Sequence, residues 1–179
     1  IYGVKMKLKF LGTRGEVEES SQTHKLHSGL LLDGIMFDLG EEQFLKYKPK
    51  VIFLSHLHKD HAFFMKGKDL AVDSELYKLV ENCKFYSPEI PEGVKKENWS
   101  LIRQPVQIGE VKITPIPTIH SKKVKSVGFL IEVKGKRILY TSDLIWIRKE
   151  YHNKIKNLDL VITDGSFLRK GGMIRKDKE

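Results

Sequence analysis

The sequence predicts an α/β fold, and three observations carry that expectation. "VIFL" (Val51 to Leu54) and "LDLVITD" (Leu158 to Asp164) are short apolar runs of the kind found in strands covered on both faces. Two further pairs of apolar runs close on Asp33-Gly34 and on Gly135, where tight turns join antiparallel strands. Between them lie segments with helical spacing, among them "DSELYKLVENC".

Each element follows from its own pattern. "KMKLKFLG" alternates Lys5, Lys7 and Lys9 with Met6, Leu8 and Phe10, the period of a half-buried strand. "GTRGEVEESSQTHKLHS" is a polar loop, and "GLLLDGIMFDLG" is a hairpin turning at Asp33-Gly34. "EEQFLKYK" predicts a short helix stopped by Pro49. "DSELYKLVENC" predicts a longer one, capped by Asp73 or Ser74, with Leu76, Leu79 and Val80 on its apolar face. "KFYSP" and "SLIRQPVQI" are strand pieces. "VKITPIPTI" is a strand whose prolines place it at an edge or leaving the sheet. "SVGFLIEVKGKRILYTSD" is a second hairpin, "RKEYHNKIKN" a modest helix, and "LDLVITD" a last buried strand.

Bulk properties narrow the classes. The 179 residues suit one domain spanning 1–179, and 40% hydrophobic residues supply a core. The single cysteine, Cys83, excludes a disulfide framework and reads as a small buried apolar residue. "IYGVKMKLKF" has no apolar stretch of a secretory signal, and no run approaches the roughly 20 residues of a membrane helix. A cytoplasmic chain with no membrane partner is expected; the oligomeric state, a dimer included, stays open. Lys+Arg exceed Asp+Glu by 32 − 23 = 9, which favours polyanionic partners such as nucleic acid. The Lys- and Glu-rich composition also matches proteins of hot environments, so part of the excess reflects that bias.

Chemistry concentrates at the ends of the apolar strands: Leu54 leads to His56, Ile119 to His120, "ILYTS" to Asp143 and "LVIT" to Asp164. Sites form outside the carboxyl ends of such strands, so these residues are expected along one rim. The densest cluster is His56-Leu57-His58-Lys59-Asp60-His61. Imidazole and carboxylate are the nitrogen and oxygen ligands of zinc, manganese or iron. Residues two apart in extended backbone point to one side, so His56 and His58 suit one ion. Asp60 and His61, after the chain turns, suit a second. Two ions about 3.5–4 Å apart can share a hydroxide and clamp an in-line displacement.

This cluster resembles the signature motif of the metallo-β-lactamase superfamily. "FDLG" (Phe37 to Gly40), "TIH" ending at His120 and "LYTSD" ending at Asp143 resemble that family's flanking motifs in order, over roughly residues 6 to 167. The resemblance implies a four-layer αβ/βα sandwich of two mixed sheets flanked by helices. It implies that His56, His58 and His120 bind one metal, that Asp60 and His61 bind the other, and that Asp143 bridges them. It gives Asp38 a supporting role through hydrogen bonds to ligands; Asp164, at the end of its own strand, is grouped with Asp38 as a supporting residue and is the candidate general acid. Two divalent ions are implied, zinc first, with manganese or iron as alternatives. The family's last histidine ligand lies past the "LVITD" strand. Here "GSFLRKGGMIRKDKE" follows with no histidine. The expectation is a domain lacking its C-terminal end, with the second site incomplete in this chain.

The expected activity is metal-dependent hydrolysis by a metal-bound hydroxide, most naturally of a phosphodiester, as in a nuclease. Asp60 and Asp143 orient the nucleophile. Lys122, Lys123 and Lys125, just past His120, are the candidate substrate-binding cations, joined by Arg169, Lys170, Arg175 and Lys176 in the tail. "LGTRG" resembles the glycine-rich opening of the phosphodiesterase and transfer-RNA 3′-processing branch, a loop that can approach phosphate. "TDGSF" departs from that branch: Thr163 and Asp164 stand where it carries His-Glu, which counts against transfer-RNA maturation. The alternatives are a thioester or lactone hydrolase of the glyoxalase II type, a mononuclear-iron dioxygenase, and a metal-stabilised nucleic-acid-binding module.

Overall fold

Apolar runs too short for helices dominate the chain, and they assemble into two mixed sheets. The computed structural model describes residues 6–16, 20–67 and 69–165. The first sheet holds β1 (Leu8–Gly12), β2 (Gly29–Leu32), β3 (Ile35–Phe37), β4 (Val51–Phe53), β5 (Lys84–Ser87) and β6 (Trp99–Leu101), in that order. β1 to β3 pair antiparallel and β3 to β6 pair parallel. The turn between β2 and β3 places Asp33 at φ 45° and Gly34 at φ 88°, the left-handed pair that a tight hairpin requires.

The second sheet holds β7 (Val106–Ile108), β8 (Val111–Ile119), β9 (Ser126–Val133), β10 (Lys136–Ser142), β11 (Trp146–Ile147) and β12 (Leu160–Thr163). Its order is β11-β8-β9-β10-β12, with β7 also on β8; only β10 and β12 pair parallel. The sheets bury a common core. Phe37 stacks on Phe53 at 5.5 Å between centroids, Phe129 tilts against Phe37 and meets Phe53 edge-on, and Tyr140 meets Phe37 edge-on. Behind the first sheet Phe64, Phe85 and Trp99 anchor another cluster, and behind the second lie Ile116, Leu130, Leu139 and Ile147. Three apolar layers around two sheets make the expected α/β sandwich.

Three local expectations are corrected and a fourth, on β8, is met in part. The helical layers are thin. Asp73 does cap α1 (Ser74–Tyr77), accepting from the amides of Glu75 and Leu76, but the helix ends after one turn. Tertiary packing overrides the helical spacing: Val80 is buried, the Tyr77 hydroxyl accepts from Trp99 Nε1, and Leu79 is left exposed. Residues Glu42–Tyr47 and Lys149–Tyr151 form 3₁₀ turns instead of α-helices.

Phe10 is exposed although it shares the strand face of Leu8; Leu11, on the other face, packs against the cluster behind the first sheet. β8 lies inside its sheet at both of its ends, and only the stretch around Pro115 and Pro117 presents an open edge, as its prolines require. Pro115 and Pro117 are tolerated because β7 pairs only with Val111 to Ile113, and β11 only with Thr118 and Ile119. Finally, β12 is not buried: among the described residues it is a terminal strand paired only with β10, and Leu160 and Val161 are exposed.

Candidate metal centre

The topology explains why the polar residues meet. Parallel β3 and β4 end together, so Asp38 and His56 arrive at one rim. β8 and β10 both run antiparallel to β9, so His120 and Asp143 leave the second sheet at a common end. The Val127 amide donates to the Ser55 carbonyl at 2.9 Å and ties the two sheets together there.

The loop after β4 is held by backbone bonds on all sides. The amides of His61 and Ala62 donate to the His58 carbonyl at 3.0 and 2.9 Å, which closes the turn. Leu39 donates to the His61 carbonyl at 2.7 Å, and Ser28 to that of Asp60 at 3.1 Å. Gly40 makes this approach possible: a Cβ there would lie 2.2 Å from the Asp60 carbonyl oxygen.

Two groups of donor atoms result. Ligand atoms of His56, His58 and His120 lie within 4.8 Å of one another, and so do those of His56, His61 and Asp143. His56 belongs to both. Asp143 spans them, with Oδ1 3.4 Å from His61 Nε2 and Oδ2 3.6 Å from His120 Nε2. Asp60 joins through His61, its Oδ2 3.2 Å from His61 Nε2. His58 offers Nδ1, 3.2 Å from His120 Nε2. All six residues expected as ligands are thus brought together.

Asp38 organises the group from behind. Its Oδ1 accepts from the Ser55 amide at 2.7 Å. Its Oδ2 faces four donors: Tyr140 OH at 2.6 Å, Ser55 Oγ at 2.9 Å, His61 Nδ1 at 2.9 Å and Ser142 Oγ at 3.1 Å. The bond from His61 Nδ1–H leaves the Nε2 lone pair facing Asp60 and Asp143. Ser55, with its proton given to Asp38, accepts from His56 Nδ1–H at 3.0 Å and leaves His56 Nε2 free in the same way. Asp38 itself sits at φ 57° and Ser142 at φ 56°, left-handed conformations that turn the two strand ends toward each other.

The electrostatics follow from burial and these carboxylates. Burial, reinforced by the neighbouring histidine charges, holds the His56 pKa well below the ordinary value. Burial also lowers that of His120, and the Asp143 charge only partly offsets it. Burial alone would lower His61, but Asp38, Asp143 and Asp60 outweigh it and the pKa is raised well above normal. Burial would raise Asp60 and Asp143, yet contact with His61 leaves both below the usual carboxylate value. Burial, then the Asp38 charge, pushes the Tyr140 hydroxyl well up.

Sequence reasoning missed Ser55, Tyr140 and Ser142. The two serines immediately precede His56 and Asp143, a positional hint; Tyr140 lies 102 residues from the carboxylate it serves and gave no signal. Asp164 follows β12 on the same side, half-buried, and Thr163 beside it accepts from the Thr141 hydroxyl at 2.9 Å. Lys122, Lys123 and Lys125 are exposed on the loop after His120, and the Lys125 amide is bonded to Glu89 at 2.5 Å. The "LGTRG" loop does reach the site: a Cβ on Gly15 would stand 3.8 Å from Asp60 Oδ2. Arg169, Lys170, Arg175 and Lys176 lie outside the described residues.

A family model described as a beta-lactamase superfamily domain matches residues 42–178, which takes in the whole ligand cluster. The chain belongs to the metallo-β-lactamase superfamily. Among similar solved structures is YhfI of Bacillus subtilis, a metallo-beta-lactamase fold protein. It has a TM-score of 0.64 and 21% identity, over 87% of this chain and 69% of that one. A diphosphatase from the PhnP family has a TM-score of 0.61 and 16% identity, over 87% of this chain and 72% of that one. The short form of human tRNase Z has a TM-score of 0.53 and 19% identity, over 86% and 76%. These likenesses show the fold. No curated protein sequence matches the chain significantly.

Members of the superfamily are metal-dependent hydrolases that bind divalent ions. The donor set here fits such ions. His56 Nε2 and His61 Nε2 are buried and make no hydrogen bond, although a buried polar atom ordinarily finds a partner. The two rings lie 4.1 Å apart; His56 Nε2 has no partner and His61 Nε2 faces only the Asp60 and Asp143 carboxylates, an arrangement that fits coordination of a cation. Among the described residues no helix is long and apolar enough to cross a membrane.

Proposed function

We propose that this superfamily hydrolase is a phosphodiesterase acting on nucleic acid or a related phosphodiester. The observation that carries the reading is the charge beside the ligand cluster. The exposed Lys122 and Lys123 leave directly from His120, in a chain of net charge +9. An anionic substrate is drawn to such a rim. Two similar structures, a diphosphatase and a tRNase, support a phosphate-centred activity.

His56, His58 and His120 would hold one divalent ion, zinc first among the candidates. His61, Asp60 and Asp143 would hold the second, with Asp143 reaching both. Bound ions in such a site acidify water and stabilise charge on a phosphoryl oxygen. The chain's own groups do the rest. Asp38 fixes His61, and Ser55 fixes His56, so that both present a lone pair. Asp60 and Asp143, held ionised beside His61, are available to orient a nucleophile. The lysines after His120 position the anionic ester.

The test is a substrate panel on chain loaded separately with zinc, manganese and iron. Bis-p-nitrophenyl phosphate should be cleaved, and His58→Ala should reduce cleavage to background. Cleavage of thioesters or lactones without any phosphodiester would overturn the reading.

A further inference from the structure

Three exposed apolar residues lie within three positions of the candidate ligands His120 and Asp143 in the chain, and the metal chemistry does not use them. Ile119, Ile145 and Trp146 are 41%, 56% and 53% exposed. Single exposed hydrophobics are ordinary, but three adjoining ones at a reactive rim call for a cause. Ile119 directly precedes His120, and Ile145 follows Asp143 by two positions. Ile119 and Trp146 are a cross-strand pair of β8 and β11, and the Ile145 amide donates to the Ile119 carbonyl at 2.8 Å. The patch is therefore fixed to two of the candidate ligands by the chain itself.

Its direction follows from strand alternation. Val111 and Ile113 of β8 point into the core between the sheets, whereas Ile116 points to the opposite face. Ile119 has the parity of Ile113, and Trp146 shares its face by pairing; Ile147, the next residue, is buried with Ile116 on the other face. Trp146 and Ile119 thus continue the inter-sheet face past the end of the core, where it opens at the rim. The indole is backed by His152, whose ring lies 6.2 Å away and whose Nε2 bonds the Ile147 carbonyl at 2.9 Å.

We propose that Trp146, with its cross-strand partner Ile119, is a stacking surface for the base of a nucleotidyl phosphodiester whose scissile phosphate lies at the ligand cluster. This rests on the phosphodiesterase reading and deepens it, by naming a base-bearing substrate and the residues that select it. A flat aromatic face is what nucleobases stack on, with little dependence on which base is present. Along the chain, ring and cations bracket His120: Trp146 pairs with Ile119, the residue before it, and Lys122 and Lys123 follow it. That is the arrangement a substrate with an aromatic base and a charged phosphate needs.

The experiment compares two esters with the same leaving group, thymidine 5′-(p-nitrophenyl phosphate) and methyl p-nitrophenyl phosphate, on metal-loaded chain. The wild type should prefer the base-bearing ester. Trp146→Ala should lower that preference roughly tenfold, within the range that stacking supplies, while Trp146→Phe keeps most of it. A binding readout stands beside the kinetics. The chain has two tryptophans, and Trp99 is buried and stacked on Phe85, so Trp146 dominates quenching by an added ligand. Thymidine monophosphate should quench the fluorescence; methyl phosphate should not; and Trp146→Phe should abolish the response. If both esters are cleaved with a ratio that Trp146→Ala leaves unchanged, the stacking surface is overturned and the phosphodiesterase reading stands. If neither ester is cleaved, or only a long-chain thioester is, both are overturned.

Discussion

The two sheets contribute unequal halves to one centre. The half supplied by the first sheet is sealed apart from the half-buried His58: His56, His61 and Asp38 have no exposed surface, and every bond that orients them comes from inside the protein. The half supplied by the second sheet is open, with the side chains of His120 and Asp143 20% and 29% exposed and flanked by solvated lysines and an apolar patch. A buried imidazole with a fixed tautomer is a preorganised ligand, and its geometry does not depend on what binds. A partly exposed carboxylate and histidine can meet a substrate. Under the proposed function the sealed half would chiefly retain metal and the open half would both hold metal and meet substrate, and substitutions on either side can separate the two.

The largest effect is expected at His56, the residue common to both donor groups. His56→Ala removes a ligand from each group at once. Hydrolysis should fall to background, and metal content, read by elemental analysis after dialysis, should fall at both positions. His120→Ala, which touches only the first group, should leave more metal bound. Equal metal content in the two variants would break the assignment of His56 to both groups.

Next come the groups behind the ligands. Asp38→Asn keeps the shape but supplies a neutral amide where Tyr140, Ser55, Ser142 and His61 all meet one carboxylate. Loss of such a supporting group costs about 10–100-fold in metal affinity. Tyr140→Phe removes one of the donors and should cost less, about 1 kcal/mol in stability and up to tenfold in affinity. A metal titration followed by calorimetry checks the order. An Asp38→Asn protein that binds metal as wild type would show that the sealed half is structural only.

These two levels also mark how far the sequence could be read. His56, His58, Asp60 and His61 were legible because the ligands are local and their spacing has few other causes. His120, Asp143 and Asp38 were legible through ordered flanking motifs at strand ends. Tyr140 was not, because its partner is brought to it only by the packing of one sheet on the other. Ser55 and Ser142 act through a carboxylate distant in sequence and, in Ser142, through a left-handed backbone that no residue preference announces. The same logic explains the misread elements. The pattern in "DSELYKLVENC" is real, but Tyr77 and Val80 are fixed by Trp99 and its neighbours rather than by a continuing helix. "LDLVITD" is apolar, but being a terminal strand is a property of the sheet, not of the segment.

The smallest effect is expected on the open half, at Lys122 and Lys123. Both are exposed, both sit after a ligand and neither is one. A charge of this kind acts through solvent, over a Debye length of about 10 Å at 0.1 M salt. Replacing Lys122 with Ala should lower kcat/KM for a nucleic-acid substrate by about two- to threefold at low salt, and Lys123→Ala should do the same. The loss should appear in KM, since an exposed cation adds attraction to ground state and transition state alike. Raising the salt should erase most of the difference from wild type, while the loss in Asp38→Asn, carried by buried bonds, should persist. If a lysine variant instead loses kcat and keeps that loss at high salt, its ammonium touches the reacting phosphoryl group, and the open half takes part in catalysis as well as in selection.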